Sequence, residues 1–358
     1  MGLFPKDRDL TKPPERVELT VEANFFQEKP GGFSMRLDQF LAAHLTWRSR
    51  SSIQDLVRDG LVLVDLATPE LPQGHGREVV EYRPGRRLYH GSRVVVVIPS
   101  ELRLPAPSKS PAELAILYED EEVVAVDKPP FLPVHPSGRH LTDTLIQRVH
   151  AHYFSDAQVG RLVPRLCHRI DRETSGIVLL AKNPRTHSKV MRQFERRRVE
   201  KEYLAIVHGV PDREEGRIEL PLANARSGSI SLKMAIVPDG LPARTDWRVL
   251  ERCNLYALLC CRLHTGRQHQ IRVHLAAIGH PIVGDKLYGQ DEAVFQRALD
   301  GKLTENDLRL LELPRHALHN HRLVFTTPDG GRRVEVVSKL ASDLHAFMEV
   351  VARGSRPL

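Results

Sequence analysis

The sequence has few cysteines and no long hydrophobic run. Its four cysteines form neither a CxxC pair nor a regularly spaced set, which argues against disulfides and structural zinc. The longest uninterrupted apolar stretch, residues 255–261, is seven residues long and too short to cross a bilayer. The N-terminal residues also lack the apolar region of a signal peptide. We therefore expect a soluble, cytoplasmic protein that has no membrane partner.

The chain is long enough for about two domains, because its 358 residues exceed the usual length of one. Hydrophobic residues make up 41% of it and charged residues 27%, as in globular rather than disordered proteins. Basic residues outnumber acidic ones and give a net charge of +7. Such a surplus favours a polyanionic partner, although composition does not distinguish RNA from DNA or an anionic membrane.

Positive charge is concentrated in the segment RTHSKVMRQFERRRVEK, residues 185–201, which has seven Lys or Arg against two Glu. Val190, Met191 and Phe194 recur at helical spacing, which predicts an amphipathic helix with one buried and one basic side. The basic side is either a solvated face, the usual role of a charge run, or a seat for a nucleic-acid backbone. The arginines available for such a seat are Arg192, Arg196, Arg197 and Arg198.

The first part of the chain predicts a leader and a small folded unit. Residues 1–33 are polar and rich in proline and glycine, which indicates a flexible leader. From Ser34, MRLDQFLAAHL and SRSSIQDLVRDG indicate two short helices, and the β-branched runs LVLVD and HGSRVVVVIP indicate strands. Arginines on or between the helices are either phosphate contacts or ordinary surface residues. They are Arg36, Arg48, Arg50 and Arg58.

A proline-rich linker, residues 101–113, separates this unit from a second domain expected over residues 114–350. In that domain a strand at 123–126 ends at a proline-locked turn, and a polar loop carrying Asp171 precedes a buried strand at 177–181. Asp171 therefore lies on a loop braced by a strand. An aspartate followed by Thr-Ser-Gly is also a good turn former, so the pattern alone leaves structural and catalytic roles open.

Two stretches of sequence resemble known families. RLDQFLAAHL and SRSSIQDLVRDGLVLV resemble the alpha-L RNA-binding module of ribosomal protein S-four, over residues 34–100, although VDLATPELPQGHGRE replaces the usual Val-Asn-Gly turn. HRIDRETSGIVLLAK resembles the HRLDxxTSGxxxxAK signature of the RluA family of pseudouridine synthases. VVAVDKPPFLPVHPSG, VEKEYLAIVHG and HTGRQHQIRVHLAAIGHPIVGDKLYG resemble that family's other motifs, in the same order.

The second resemblance implies a fold and an activity. The fold is of the α+β class, with the alpha-L module joined to a catalytic domain built on a bent, mainly antiparallel mixed sheet. The activity is isomerisation of uridine to pseudouridine in RNA by a monomeric enzyme. Large-subunit ribosomal RNA is the expected target, with transfer RNA as an open alternative. The reaction needs no redox change and no external reactant, so neither a cofactor nor a metal is expected.

The resemblance also assigns the candidate site. A carboxylate, with a reference pKa of about 3.9, is ionised at neutral pH, and Asp171 would act as nucleophile or base. Whether it attacks the base or removes a ribose proton stays open. Arg272 would pair with Asp171, since an arginine keeps a buried carboxylate ionised, and Tyr203 would face the target ring. Arg169 would fill the space left by a flipped-out nucleotide.

Two other functions are suggested by parts of the sequence. His264, His269, His274 and His280 suggest a metal-dependent hydrolase, but His269 and His274 are five apart with no Glu between them, unlike the HExxH pattern. The second alternative is a catalytically silent RNA-binding or ribosome-assembly protein, which the presence of all three candidate catalytic residues argues against. The segment LPRHALHNHRLVFTTPDG has His-Asn at 319–320 where the family usually has His-Ala, which leaves the roles of those two residues open.

Overall fold

The structure is a computed structural model that describes residues 16–21, 34–44, 50–68, 70–72, 74–97, 114–135, 143–153, 164–225, 230, 233–299, 301–328 and 331–354. The chain divides into two compact units. The first draws on residues 1–112 and 135–163, and the second on residues 113–134 and 164–358. Among the described residues, no helix combines the length and the apolar character needed to span a membrane.

The first unit combines helices with a small antiparallel sheet. The sheet has the order β1 (Arg16–Thr20), β6 (Arg93–Val97), β3 (Val62–Asp65) and β4 (Val79–Val80). A separate pair joins β2 (Ser34–Arg36) to β5 (Arg87–Tyr89). The helices are α1 (Leu37–His44), α2 (Arg50–Arg58) and α3 (Leu145–His152).

The core of the first unit explains both helices predicted after Ser34. Leu37 and Phe40 of α1 and Ile53 of α2 are fully buried in one cluster. Val17 and Leu19 of β1 are buried in the same cluster, and β1 pairs with β6 along its whole length. This pairing corrects the expected leader for residues 16–21, where apolar residues alternate at the strand period of two. The rest of the leader lies outside the described residues.

The second unit is built on a mixed sheet with ten described strands. Its main path is β12 (Glu215–Ile218), β15 (Thr245–Cys253), β16 (Tyr256–Leu263), β11 (Glu200–His208), β17 (Leu318–Thr326), β10 (Ser175–Ala181), β8 (Val123–Lys128) and β7 (Ile116–Glu119). In addition, β18 (Arg333–Val337) pairs with β17, and β9 (Arg165–Leu166) pairs with β10. A small hairpin joins β13 (Leu222–Asn224) to β14 (Met234–Ile236). Of these described pairings, β10 with β17 is parallel and the others are antiparallel, so the predicted α+β class with a mainly antiparallel mixed sheet is confirmed.

Five described helices accompany this sheet: α4 (Pro184–Glu195), α5 (Gln270–Ala277), α6 (Glu292–Leu299), α7 (Glu305–Leu311) and α8 (Ser342–Ala352). Helix α4 is the predicted basic helix, and its N-cap is Asn183, whose side chain accepts a hydrogen bond from the Thr186 backbone N at 2.8 Å. Val190 is buried and Phe194 partly buried in a core shared with the sheet. The helix ends sooner than predicted, because Arg197 has a left-handed φ of 56° and turns the chain towards β11.

The parallel contact between β10 and β17 fixes the strand that follows the Asp171 loop. Gly176 has a φ of +105°, and a Cβ there would lie 2.3 Å from the carbonyl oxygen of Asn320, so only glycine fits. The side-chain amide of Asn320 donates to the Ile177 carbonyl at 2.7 Å, and Nδ1 of His319 lies 3.0 Å from Ser175 Oγ. His319 and Asn320, whose roles the sequence left open, therefore hold β10 against β17.

Candidate active site

Asp171 lies in the loop between β9 and β10. Its backbone carbonyl accepts a hydrogen bond from the Thr174 backbone N at 3.1 Å, so the segment does form a turn. Its side chain points elsewhere, because Oδ2 accepts a hydrogen bond from Arg272 Nη1 at 3.0 Å. The turn and the ion pair implied by the resemblance are therefore both present.

Arg272 is held by a second carboxylate, Asp285, which the sequence reading missed. Nε and Nη2 of Arg272 donate to the two oxygens of Asp285 at 2.7 and 2.9 Å. Asp285 Oδ1 also accepts hydrogen bonds from the backbone N–H groups of Leu287 and Tyr288. The Tyr288 ring lies 5.1 Å from the Arg272 guanidinium carbon, within cation–π range. The guanidinium group is thus held in place by Asp285 and Tyr288, independently of its contact with Asp171.

The charges in this group reinforce one another. Burial raises the pKa of Asp171, but Arg272, together with His269 and Arg169, outweighs burial and holds that pKa below its ordinary value. Burial likewise opposes the charge on Arg272, yet Asp285 and Asp171 raise the pKa of Arg272 further. The Asp171 side chain remains 29% exposed, and none of the described residues donates a hydrogen bond to its Oδ1. The carboxylate is therefore ionised at neutral pH and partly exposed.

Tyr203 lies on β11, the strand that follows the basic helix, as the sequence predicted. It is buried and lies opposite Cys261 of β16 and Asn320 of β17. Burial and, as a smaller cause, the negative charge of Asp171 raise the pKa of Tyr203 above its ordinary value. Its phenol is therefore protonated at neutral pH.

The Asp171 loop is also bound by Lys128, a residue whose importance the sequence did not reveal. Lys128 ends β8, is fully buried, and donates to the carbonyls of Pro129 at 2.9 Å and Arg172 at 3.0 Å. Burial and the positive charge of Arg315 lower the pKa of Lys128 to about 7. The sequence feature that could have indicated it is its position at the end of the strand and before the prolines in VVAVDKPP.

Arg315 braces the same loop from the C-terminal side. It is fully buried, forms a two-pronged ion pair with Asp343 at 2.6 and 2.9 Å, and donates to the Glu173 carbonyl and to Ser175 Oγ at 3.2 Å each. The Glu173 carboxylate is itself bound to Lys286 Nζ at 2.9 Å. Glu173, the second carboxylate of the loop, is therefore bound to Lys286 and not to the groups around Asp171.

The four clustered histidines have separate partners. His269 Nε2 lies 3.9 Å from Asp171 Oδ2, and burial together with the charge of Arg272 lowers the pKa of His269 to about 4. His264 contacts Asp246, whereas His274 and His280 contact Thr245 Oγ1 and the His208 carbonyl, respectively. Within the described ranges, no three His, Cys, Asp or Glu side chains are grouped so as to hold a metal ion.

The residues predicted to bind RNA lie at several places. Arg169 is exposed, and its positive charge contributes to the low pKa of Asp171. In the first unit, Arg36 forms a two-pronged pair with Asp38 at 3.0 Å, and Arg58 pairs with Asp55 at 3.2 Å. Arg48 and the side chain of Arg50 lie outside the described residues. The arginines predicted to bind RNA at and after α4, namely Arg192, Arg196, Arg197 and Arg198, are all exposed.

Comparison with known proteins identifies the family. The family model for RNA pseudouridylate synthase matches residues 122–277, which include the Asp171 loop, β11 and Arg272. A Bacillus subtilis protein named RNA pseudouridine synthase YlyB is 33% identical over 317 residues, covering 88% of this chain and 94% of its own. The ribosomal large subunit pseudouridine synthase D of Nitrosomonas europaea is 34% identical, covering 96% of this chain and 91% of its own.

A solved structure agrees with these matches. The human protein named RNA Pseudouridylate Synthase Domain Containing 4 is 27% identical and has a TM-score of 0.51, covering 67% of this chain and 93% of its own. The sequence relatives exceed 30% identity over nearly the whole chain, and the solved structure has the same type of fold. The chain therefore belongs to the RluA family of RNA pseudouridine synthases.

Proposed function

We propose that this enzyme converts uridines of large-subunit ribosomal RNA to pseudouridine, with Asp171 as nucleophile or base. The observation that carries the assignment is the Asp171 carboxylate, which is held through Oδ2 by Arg272 while its side chain stays partly exposed. The ribosomal target is supported by relatives in Nitrosomonas europaea and Neisseria meningitidis that are named ribosomal large subunit pseudouridine synthase D.

In the proposed chemistry, each side chain has one task. Arg272 keeps Asp171 ionised and holds its Oδ2, so the partly exposed carboxylate can attack the base or take a ribose proton. The bond from the sugar to N1 of uracil breaks, and a bond from the sugar to carbon 5 replaces it. Carbon 5 then loses a proton and N1 gains one, so the atoms balance without a co-reactant. Tyr203, whose phenol is neutral, packs against the base and lies near the proton that leaves.

RNA binding is assigned to surfaces in both parts of the chain. Residues 34–100 are proposed as an alpha-L module that contacts phosphates through arginines, with 101–113 as a linker and 114–350 as the catalytic domain. Arg169 takes the place of the flipped-out uridine, and the basic face of α4 attracts the RNA backbone. We place the enzyme in the cytoplasm as a monomer.

Tritium release tests this function. Large-subunit ribosomal RNA transcribed with uridine tritiated at carbon 5 should lose tritium when incubated with the purified protein, without added metal, nicotinamide or nucleotide. Pseudouridine mapping in a deletion strain and its complemented counterpart then identifies the position. Absence of release from every ribosomal transcript would refute the ribosomal target, and an absolute requirement for zinc would refute the proposed chemistry.

A further inference from the structure

A cavity of about 230 Å³ lies in the second unit, next to the turn that follows α4. Arg197 lines it from that turn, Arg244 from the residue before β15, and Arg262 from near the end of β16. The volume is several times the roughly 30 Å³ that one water molecule occupies in the liquid. The cavity can therefore hold a small polar group together with water.

Positive charge dominates the lining of this cavity. The three arginines are accompanied by one carboxylate, Glu200, which is already shared with Arg322 and Arg333 at 3.4 and 2.8 Å. Arg262 lies 3.6 Å from that carboxylate, beyond hydrogen-bond distance. None of the described acidic side chains forms an ion pair with Arg197. Several guanidinium N–H groups are thus available to an anion.

Arg244 adds a buried donor that lacks an acceptor. No described group forms a hydrogen bond with its Nε, because the nearest carboxylate oxygens, on Glu219 and Asp246, lie at 3.4 and 3.6 Å without hydrogen-bond geometry. A buried N–H of this kind is unfavourable unless something pairs with it. The cavity therefore favours a ligand that brings acceptor oxygens.

One short loop connects this cavity to the candidate active site. Thr265 lines the cavity and donates through Oγ1 to the side chain of Gln270 at 2.7 Å. Gln270 begins α5, the helix that carries Arg272. His269, on the same loop, lies 3.9 Å from Asp171. A ligand in the cavity would thus be fixed to the segment that positions Asp171.

We propose that this cavity binds one phosphate of the RNA backbone near the target uridine, an inference that rests on the proposed function. Guanidinium groups bind phosphate oxygens through paired N–H donors. The neighbours of Arg197 on the turn, Arg196 and Arg198, line a second cavity with Lys189 and Arg192, so an RNA strand that crosses the turn meets arginines along its path. The phosphate fixes the register of the RNA and carries no sequence information.

The test compares two double variants that remove the same charge. Arg244→Gln with Arg262→Gln alters the cavity, whereas Arg248→Gln with Arg309→Gln removes two exposed arginines that do not line it. Binding of a fluorescein-labelled oligouridylate is measured over a series of KCl concentrations. The cavity variant should bind several-fold more weakly and lose about 0.7 from the slope of log affinity against log salt, the value for one phosphate of a single strand. The control should retain nearly the wild-type slope.

Further measurements keep the result decisive. If thermal melting shows that the cavity variant does not fold, Arg197→Gln, on the exposed turn, replaces it with the same expectation. Equal affinities and slopes for the cavity and control variants would overturn the phosphate site. Tritium release by the wild type separates the two proposals: a wild type that makes pseudouridine while the cavity variant binds normally refutes the site alone. A wild type that makes none, while the cavity variant binds RNA weakly, refutes the function alone.

Discussion

Asp171→Asn and Asp285→Asn each replace one of the two carboxylates that bind Arg272 by a neutral amide, and their effects should differ in kind. Asp171 is 29% exposed and accepts one hydrogen bond from Arg272. Asp285 is buried, accepts two hydrogen bonds from Arg272 and also binds two backbone N–H groups. Because Arg272 keeps its buried partner in the first variant and loses it in the second, stability should separate the two carboxylates.

The expected magnitudes follow from burial. Loss of a partly exposed, charge-assisted hydrogen bond should cost Asp171→Asn about 1 kcal/mol after allowance for solvent screening. Breaking a buried pair should cost Asp285→Asn about 3–5 kcal/mol. For a unit of this size 1 kcal/mol lowers Tm by about 2–4 °C, so thermal melting distinguishes the variants.

Activity should be lost in Asp171→Asn even though the protein stays folded. The amide has nearly the same size but neither the charge nor the lone-pair basicity of a carboxylate, and the neighbouring Glu173 is bound to Lys286. Single-turnover tritium release should therefore fall below detection while RNA affinity persists. A folded Asp171→Asn protein that still makes pseudouridine at near the wild-type rate would refute the role assigned to Asp171. A Tm loss as large as that of Asp285→Asn would refute the independent anchoring of Arg272.

Two further variants test how the loop is held. Gly176→Ala should lower the free energy of unfolding, measured by urea denaturation, by about 3 kcal/mol or more, because its Cβ would meet the Asn320 carbonyl oxygen. The control Gly279→Ala has the same sign of φ but open space around it, and should cost about 1–2 kcal/mol. Equal costs for the two variants would contradict the close-contact argument. Lys128 has a folded-state pKa of about 7 against an ordinary 10.5, so between these values the unfolded chain binds more protons and the free energy of unfolding should rise by up to about 1.4 kcal/mol per pH unit. Lys128→Met should remove that rise. If Tm plotted against pH runs parallel for the wild type and Lys128→Met from about pH 7 to pH 9.5, the lowered pKa of Lys128 is refuted.

The sequence predicted those features that depend on neighbouring residues. The stripes in α1, α2 and α4 repeat within a few positions, and the strand after Gly176 is a continuous apolar run, so each could be found from its period alone. The Asp171 loop and its contact with Arg272 were reached through family motifs. Local periodicity says nothing about which distant residue completes a contact.

The features that were missed depend on contacts between distant parts of the chain. β1 is a short strand whose partner, β6, lies far along the sequence, so its alternating pattern was outweighed by the proline and glycine around it. Lys128 looks like an ordinary strand-end lysine, and only the approach of the Arg172 carbonyl shows that its ammonium group is buried. Arg315 likewise depends on Asp343, which lies on α8.

Asp285 shows why a second carboxylate belongs in this site. An arginine paired with Asp171 alone could place both of its prongs on that carboxylate and occupy both oxygens. Asp285 instead takes Nε and Nη2 of Arg272, which leaves Nη1 for Asp171. The nearby charge of Arg272 still lowers the pKa of Asp171. The single hydrogen bond to Oδ2 leaves Oδ1 without a donor among the described residues. In the proposed reaction, Asp285 therefore occupies two of the guanidinium nitrogens of Arg272. The remaining nitrogen keeps Asp171 ionised without binding both of its oxygens, so Asp171 can still react.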